Sequence, residues 1–364
     1  MSTEGVGVSQ RVAKVTIAKW LKRISEQTIQ KFAAFKAMEQ KGRIERNCHG
    51  GKLVWPFRYK DHQISTYVDM GLKEFSTHDG LEDATLPWGA YDVKDAISLM
   101  EKAQNGGEEA MVQILNSKEE DMRKAATKQF NQELYSTGAT TGRLKGLDSC
   151  CSVTGQSATD EFATTPNATY AGISTAYDTY HASDYSQGYK VWSPILPNCN
   201  RTVDGATQAW ADFADEYIRK AILAASYGQD ESENTDMILL RKASFEALLN
   251  ICDDKERITV SRGANLAMVK LGFKNFVEID GVPTGWDFGI PATDVNSNVL
   301  HGFGLNTDQL KLCVLEEGKK KTKGLWRAKV TWSTAQGATL IYMYLFCQLR
   351  IESPRHVIKF AELS

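Results

Sequence analysis

From Val8 to Gln40 apolar residues recur at helical spacing: Val12, Val15, Ile17, Leu21, Ile24, Ile29, Phe32, Phe35 and Met38. This predicts one or two helices with a thin apolar stripe, ended by Gly42 and the Cys48-His49-Gly50-Gly51 cluster. The period then changes. Leu53, Trp55, Phe57 and Tyr59 alternate with Val54, Pro56, Arg58 and Lys60, and Ile64, Thr66, Val68 and Met70 repeat the alternation. A period of two is that of a strand with one buried face. Pro56 confines it to an edge or a ribbon. After a turn-rich stretch, Ser76 to Asp83, alternation resumes at Tyr91, Val93, Ile97 and Leu99. Residues 51–99 therefore read as one long two-stranded excursion. Such a ribbon is marginal in water by itself, and nothing adjacent in sequence covers it, so its expected cover is another chain.

Gly106-Gly107 then opens a long helix, Glu108 to Ser136, with Met111, Leu115, Met122, Ala126, Phe130 and Leu134 on one face. At 1.5 Å per residue it is a rod of roughly 40 Å. Glu108 and Glu109 complement the dipole of its first turn, and Gly138 is the expected terminator. Residues 139–200 show little periodicity. Thr207 to Tyr227 is amphipathic, and Met237 to Leu240 is a short buried-type strand before a helix at Ala243 to Cys252. That order suggests a compact α+β unit. Near the end, Trp326, Ala328, Val330 and Trp332 alternate. Ile341 to Ile351 is apolar on one face, with Tyr342, Tyr344, Phe346 and Gln348 suggesting burial of the second.

Composition is ordinary for a globular chain of 364 residues, 42% hydrophobic and 24% charged, and the length suggests two or three domains. The net charge of −2 excludes a global trap for nucleic acid. Charge is nevertheless uneven. Residues 1–45 carry nine Lys/Arg, among them Lys14, Lys19, Lys22 and Arg23, against four acids, so the arm is +5 and the remainder about −7. Such an arm meets a polyanion or an acidic partner, or it is a solvated amphipathic helix.

No signal peptide is visible and the most apolar run, Leu340 to Cys347, is too short for a bilayer. Seven scattered cysteines fit reduced thiols. Candidate chemistry is sparse. Cys150-Cys151 with His181 offers a thiol and a base without a nucleophile motif around them. Cys48-His49 lacks a second pair at metal-ligand spacing. No phosphate loop, cofactor site or metal site is read, and the expected activity is not enzymatic.

Ala84-Thr-Leu-Pro-Trp88, Ala96-Ile-Ser-Leu-Met-Glu101 and Asn105-Gly106-Gly107 precede the helix Glu108–Tyr135. Gly146-Leu147 follows it, then Thr207–Ala225, Asp236-Met-Ile-Leu239, Phe245–Leu249, His301-Gly-Phe-Gly-Leu-Asn306 and Gln348 to Arg355. This succession, over nearly the whole chain, resembles the major capsid proteins of tailed phages with the Hong Kong 97-type fold.

The resemblance implies an α+β chain with an N-terminal arm (1–50), a β-hairpin E-loop (51–99), a peripheral domain with a spine helix (100–138), an axial domain (139–300), and peripheral and C-terminal strands (301–364). It implies that the E-loop surface comprises Leu53, Trp55, Phe57, Tyr59, Trp88, Tyr91, Val93 and Ile97, and that Asn105, Gly106 and Gly107 form its pivot. The spine face would be Met111, Leu115, Met122, Phe130 and Leu134. The implied work is structural: copies in pentamers and hexamers tile an icosahedral shell around double-stranded DNA in a virion assembled in the host cytoplasm. A separate scaffolding protein, a portal and decoration proteins are further expected partners, and no membrane is. The alternatives are a non-viral compartment shell of the same fold and an enzyme centred on Cys150, Cys151 and His181.

Overall fold

The computed structural model describes residues 33–58, 81–104, 108–153, 157–163, 166–175, 192–226, 234–254, 277–315, 326–333 and 338–363. Helix α1 (Ala33–Gln40) and strand β1 (Ile44–Cys48) lead into β2 (Lys52–Arg58), β3 (Leu81–Pro87) and β4 (Gly89–Ser98). A short helix α2 (Leu99–Gln104) precedes the long α3 (Glu108–Leu134). Two small hairpins follow, β5 (Thr169–Tyr170) with β6 (Ile173–Ser174) and β7 (Thr202–Val203) with β8 (Ala206–Thr207). Then come α4 (Trp210–Ala225), β9 (Met237–Leu240), α5 (Lys242–Asp254), β10 (Val277–Ile279) and β11 (Val282–Trp286). The chain closes with β12 (Leu300–Leu305), β13 (Leu310–Leu315), β14 (Arg327–Ser333), β15 (Ala338–Ile351) and β16 (Ile358–Ala361).

The first sheet is organised by β15, the 14-residue strand whose alternation is clearest in the sequence. It pairs antiparallel with β14 along Ala338–Tyr344, with β4 along Ala338–Cys347 and with β13 along Cys347–Ile351, and β1 lies parallel on β13. Ile341, Met343, Leu345, Cys347, Leu349 and Ile351 are buried. Helix α3 covers this face because Met122, Ala126, Phe130 and Leu134, four residues apart, form one buried stripe. Phe130 stacks on Phe35 at 4.8 Å and meets Tyr91 and Trp326 edge-on. Each such side chain, removed from water, contributes about 1.5–3 kcal/mol. The second face of β15 is only partly covered: Tyr342, Tyr344 and Phe346 are half-buried and stack along the strand at 6.1 and 5.7 Å.

The second sheet has the order β10-β11-β9-β12-β16. Its centre, β9, is Met-Ile-Leu-Leu and is buried at all four positions, as a strand covered on both faces requires. Ile238, Leu240, Ile358 and Phe360 pack with α4 and α5 on one face. Leu239, Phe303 and Leu305 face the same core as the first sheet, where Tyr135 stacks on Phe303 at 5.7 Å. Lys41 ties α1 and β1 to both sheets by donating to Asp236 at 2.6 Å and to Asp308 at 2.8 Å.

Two sequence expectations change here. Residues 51–99 are not one ribbon: β2 pairs with β3, and β4 leaves at Trp88 to join β15 over ten positions. Tyr91, Val93 and Ile97 lie opposite Leu345, Met343 and Thr339 and so share the sheet face that α3 covers. Residues 301–364 do not build one unit either. β12 and β16 belong to the second sheet and β13 to β15 to the first, because an apolar alternation marks a buried face without naming the partner strand.

Helix α3 ends as the sequence indicates. Gly138 has φ +57°, and Gly146 passes so close to the helix end that a Cβ there would lie 2.3–2.6 Å from the carbonyl oxygens of Glu133, Leu134 and Ser136.

Candidate assembly surface

The root of the ribbon alternates strictly. Leu53, Trp55 and Phe57 of β2 and Ala84 and Leu86 of β3 are buried, while Lys52, Val54, Pro56 and Arg58 are exposed. Its cover comes from its own chain, which corrects the expectation of a partner subunit at these positions. Phe57 meets Trp192 at 4.1 Å, Trp55 meets Tyr170 at 6.3 Å, and the Arg350 guanidinium lies 5.3 Å over the Trp55 ring. The Tyr170 hydroxyl donates to Leu349 O and accepts from Ile351 N, which locks this cover to β15. The cover was missed because it lies in residues 139–200, where no periodicity announces burial.

Backbone and side-chain bonds complete the root. Thr85 N donates to Ala171 O, Trp88 Nε1 to Gly50 O, and Gln348 Nε2 to Pro87 O. The same Gln348 accepts from Lys145 N. Half-buried Tyr91 donates or accepts at its hydroxyl against Leu144 N at 2.5 Å, with the amide as donor. Exposed apolar side chains cluster beside the ribbon and at the α2 end of β4: Val54, Leu81, Leu99 and Met100. Lys118 of α3 fastens that end by donating to Ala96 O at 3.0 Å and to Asp95 Oδ1 at 3.3 Å.

The other predicted site residues divide simply. Met122, Phe130 and Leu134 line the buried face of α3. Met111 and Leu115 belong to α3, but their side chains lie outside those described. Tyr59, Asn105, Gly106, Gly107, Lys14, Lys19, Lys22, Arg23 and His181 lie outside the described residues. Cys150 and Cys151 are fully buried, Cys150 Sγ contacts Leu147 O at 3.3 Å, and burial pushes the Cys151 thiol well above its ordinary range. A buried protonated thiol is a packing group rather than a nucleophile.

Sequence reasoning also missed a buried ion cluster behind this surface. Lys359 of β16 donates to Asp148 at 2.5 Å, Asp294 at 2.8 Å and Cys151 O at 3.0 Å. Burial pushes Asp148 up to about 6 against the pull of Lys359. Burial acts in the same sense on Asp294, but hydrogen bonds and charge from Lys359, with bonds from Asn298, hold that carboxyl below its ordinary value.

Among the described residues no helix is long and apolar enough to cross a membrane. No protein-family model matches the chain. No curated protein matches it by sequence. Solved structures do match. The capsid asymmetric unit of cyanophage A-1(L) is 14% identical, with a TM-score of 0.55 over 90% of this chain and 93% of that one. The capsid of a native GTA particle, computed with C5 symmetry, is 10% identical, with a TM-score of 0.52 over 90% of each chain. The two sheets, the long helix and the ribbon are thus one mixed α/β arrangement, and across nine-tenths of its length the chain has the fold of these capsid proteins.

Proposed function

We propose that this chain is a capsid-shell subunit, and more finely the major capsid protein of a tailed phage, self-assembling in pentamers and hexamers around double-stranded DNA. The observation that carries the proposal is the likeness to the cyanophage capsid over 90% of one chain and 93% of the other. In this reading the first sheet with α3 is the peripheral domain, the second sheet with α4 and α5 is the axial domain, and the ribbon is the E-loop. Because the ribbon's root is buried on its own subunit, its reach toward a neighbour falls to residues 59–80 and to the exposed apolar side chains Val54, Leu81, Leu99 and Met100. Asn105, Gly106 and Gly107 then act as the pivot between arm and helix. Lys14, Lys19, Lys22 and Arg23 face the packaged polyanion or a scaffolding protein, with a salt-dependent contribution.

Electron microscopy of the purified chain tests this. Hollow particles or capsomer-sized oligomers are expected, and a monomer under all assembly conditions overturns the proposal. A deletion sharpens the test. Arg58 and Leu81 are directly paired, so residues 59–80 can be replaced by an Asn-Gly turn without disturbing the ladder. The shortened chain is expected to remain folded, with unchanged circular dichroism, and to form no shells. Normal shells from it would remove the E-loop assignment.

A further inference from the structure

We propose that Glu45, Cys48 and Cys313 form a binding site for a thiophilic divalent cation of the zinc type at the foot of the ribbon. Their ligand atoms all lie within 4.8 Å of one another. Glu45 Oε2 is 3.9 Å from Cys48 Sγ and 4.0 Å from Cys313 Sγ, and the two thiols share a hydrogen bond. In a tetrahedral site with metal–sulfur bonds of about 2.3 Å and metal–oxygen bonds of about 2.1 Å, sulfur and oxygen ligands stand about 3.6 Å apart and two sulfurs about 3.8 Å. A closure of less than about 0.5 Å between sulfur and oxygen, within the swing of the half-buried Cys48 side chain, is enough.

The backbone is arranged for this meeting. In a regular strand residues 45 and 48 point to opposite faces. Between them the register against β13 shifts, with Glu45 opposite Cys313 and Cys48 opposite Leu315. The irregularity changes the parity, so both side chains of β1 reach the one cysteine of β13. Lys311, also on β13, holds the other carboxylate oxygen, with its Nζ 3.5 Å from Glu45 Oε1, leaving Oε2 to the thiols. Two thiolates and a carboxylate around a divalent ion leave one negative charge, and Lys311 offsets it. Two soft sulfurs with one oxygen favour zinc over magnesium or calcium. The ion would staple β1 to β13 immediately before Gly50-Gly51 and β2, at the point where the ribbon leaves the sheet. This revises the expectation that the chain has no metal site, and it stands whether or not the shell reading holds.

The test is titration of reduced, chelator-treated full-length protein with Co2+ and then Zn2+. Expected are a thiolate-to-cobalt absorption and tetrahedral visible bands saturating at one Co2+ per chain, and their loss on adding Zn2+. Cys48→Ser, a change at a half-buried position, removes the absorption, and Lys311→Met weakens binding roughly ten-fold. Absence of the thiolate–cobalt absorption overturns the proposal, as does the same absorption in Cys48→Ser. A Cys48–Cys313 disulfide found in the native chain by mass spectrometry also overturns it.

Discussion

Replacing Lys359 by Met is expected to lower subunit stability by about 3–5 kcal/mol, because it strips the partner from two buried carboxylates at once. Lys359 is 1% exposed, and no solvent reaches in to replace its three hydrogen bonds. The loss is a large share of the 5–15 kcal/mol that typically separates folded from unfolded domains. Asp294 keeps donors from Asn296 N, Asn298 N and Asn298 Nδ2, whereas Asp148 depends more heavily on the lysine. Adding Asp148→Asn to Lys359→Met should therefore recover part of the loss, giving a coupling that a double-mutant cycle reads directly. Urea unfolding of unassembled subunits is the measurement. A single-variant loss below about 1 kcal/mol would show that the cluster does not hold these segments together.

The same cluster sets a pH dependence. Asp148 titrates near 6 in the folded chain against an ordinary value of 3.8. Between those values the native state binds more protons than the unfolded state, so this group's contribution falls as pH rises from about 4 to about 6. The stability difference between the native sequence and Asp148→Asn is expected to shift against the native sequence across that window, by up to roughly 2–3 kcal/mol. A difference flat from pH 4 to 7 would contradict the burial-driven shift.

Trp55→Ala is the second large expected effect, with a cost of about 3–5 kcal/mol at a fully packed aromatic site. Trp55 sits between Tyr170 and Arg350 and is 2% exposed. The ribbon has two strands only, and such a pair keeps its place through the face it buries. Removing its largest anchor should therefore open the root locally before the sheets unfold. Hydrogen exchange should show lost protection at Val54 to Arg58 and Ala84 to Leu86, while Leu312, Leu345 and Leu349 stay protected. Unchanged protection in the ribbon would mean that the backbone bonds at Thr85 and Pro87 hold it without the aromatic cover.

Periodicity by itself determined much of this protein. The apolar stripe of α3 from Met122 to Leu134, the buried run Met237–Leu240, the helices after it and before it, and the long alternation of β15 are local patterns. A helix or strand displays its buried face in its own few turns. The end of α3 was equally legible, since Gly138 and Gly146 stand where the chain must reverse. What only the tertiary structure decided is partnership. β4 could have continued the ribbon by its pattern, yet it pairs with β15, some 250 positions later. The cover of Trp55 comes from Tyr170 and Trp192, in a stretch whose irregular backbone buries side chains with no period to reveal them. Glu45 meets Cys313 across 268 positions through a register shift, and Lys359 meets Asp148 across 211. Burial of a face is a property of one segment, and is written there; which surface buries it depends on chain closure over hundreds of residues, and no local pattern carries that information.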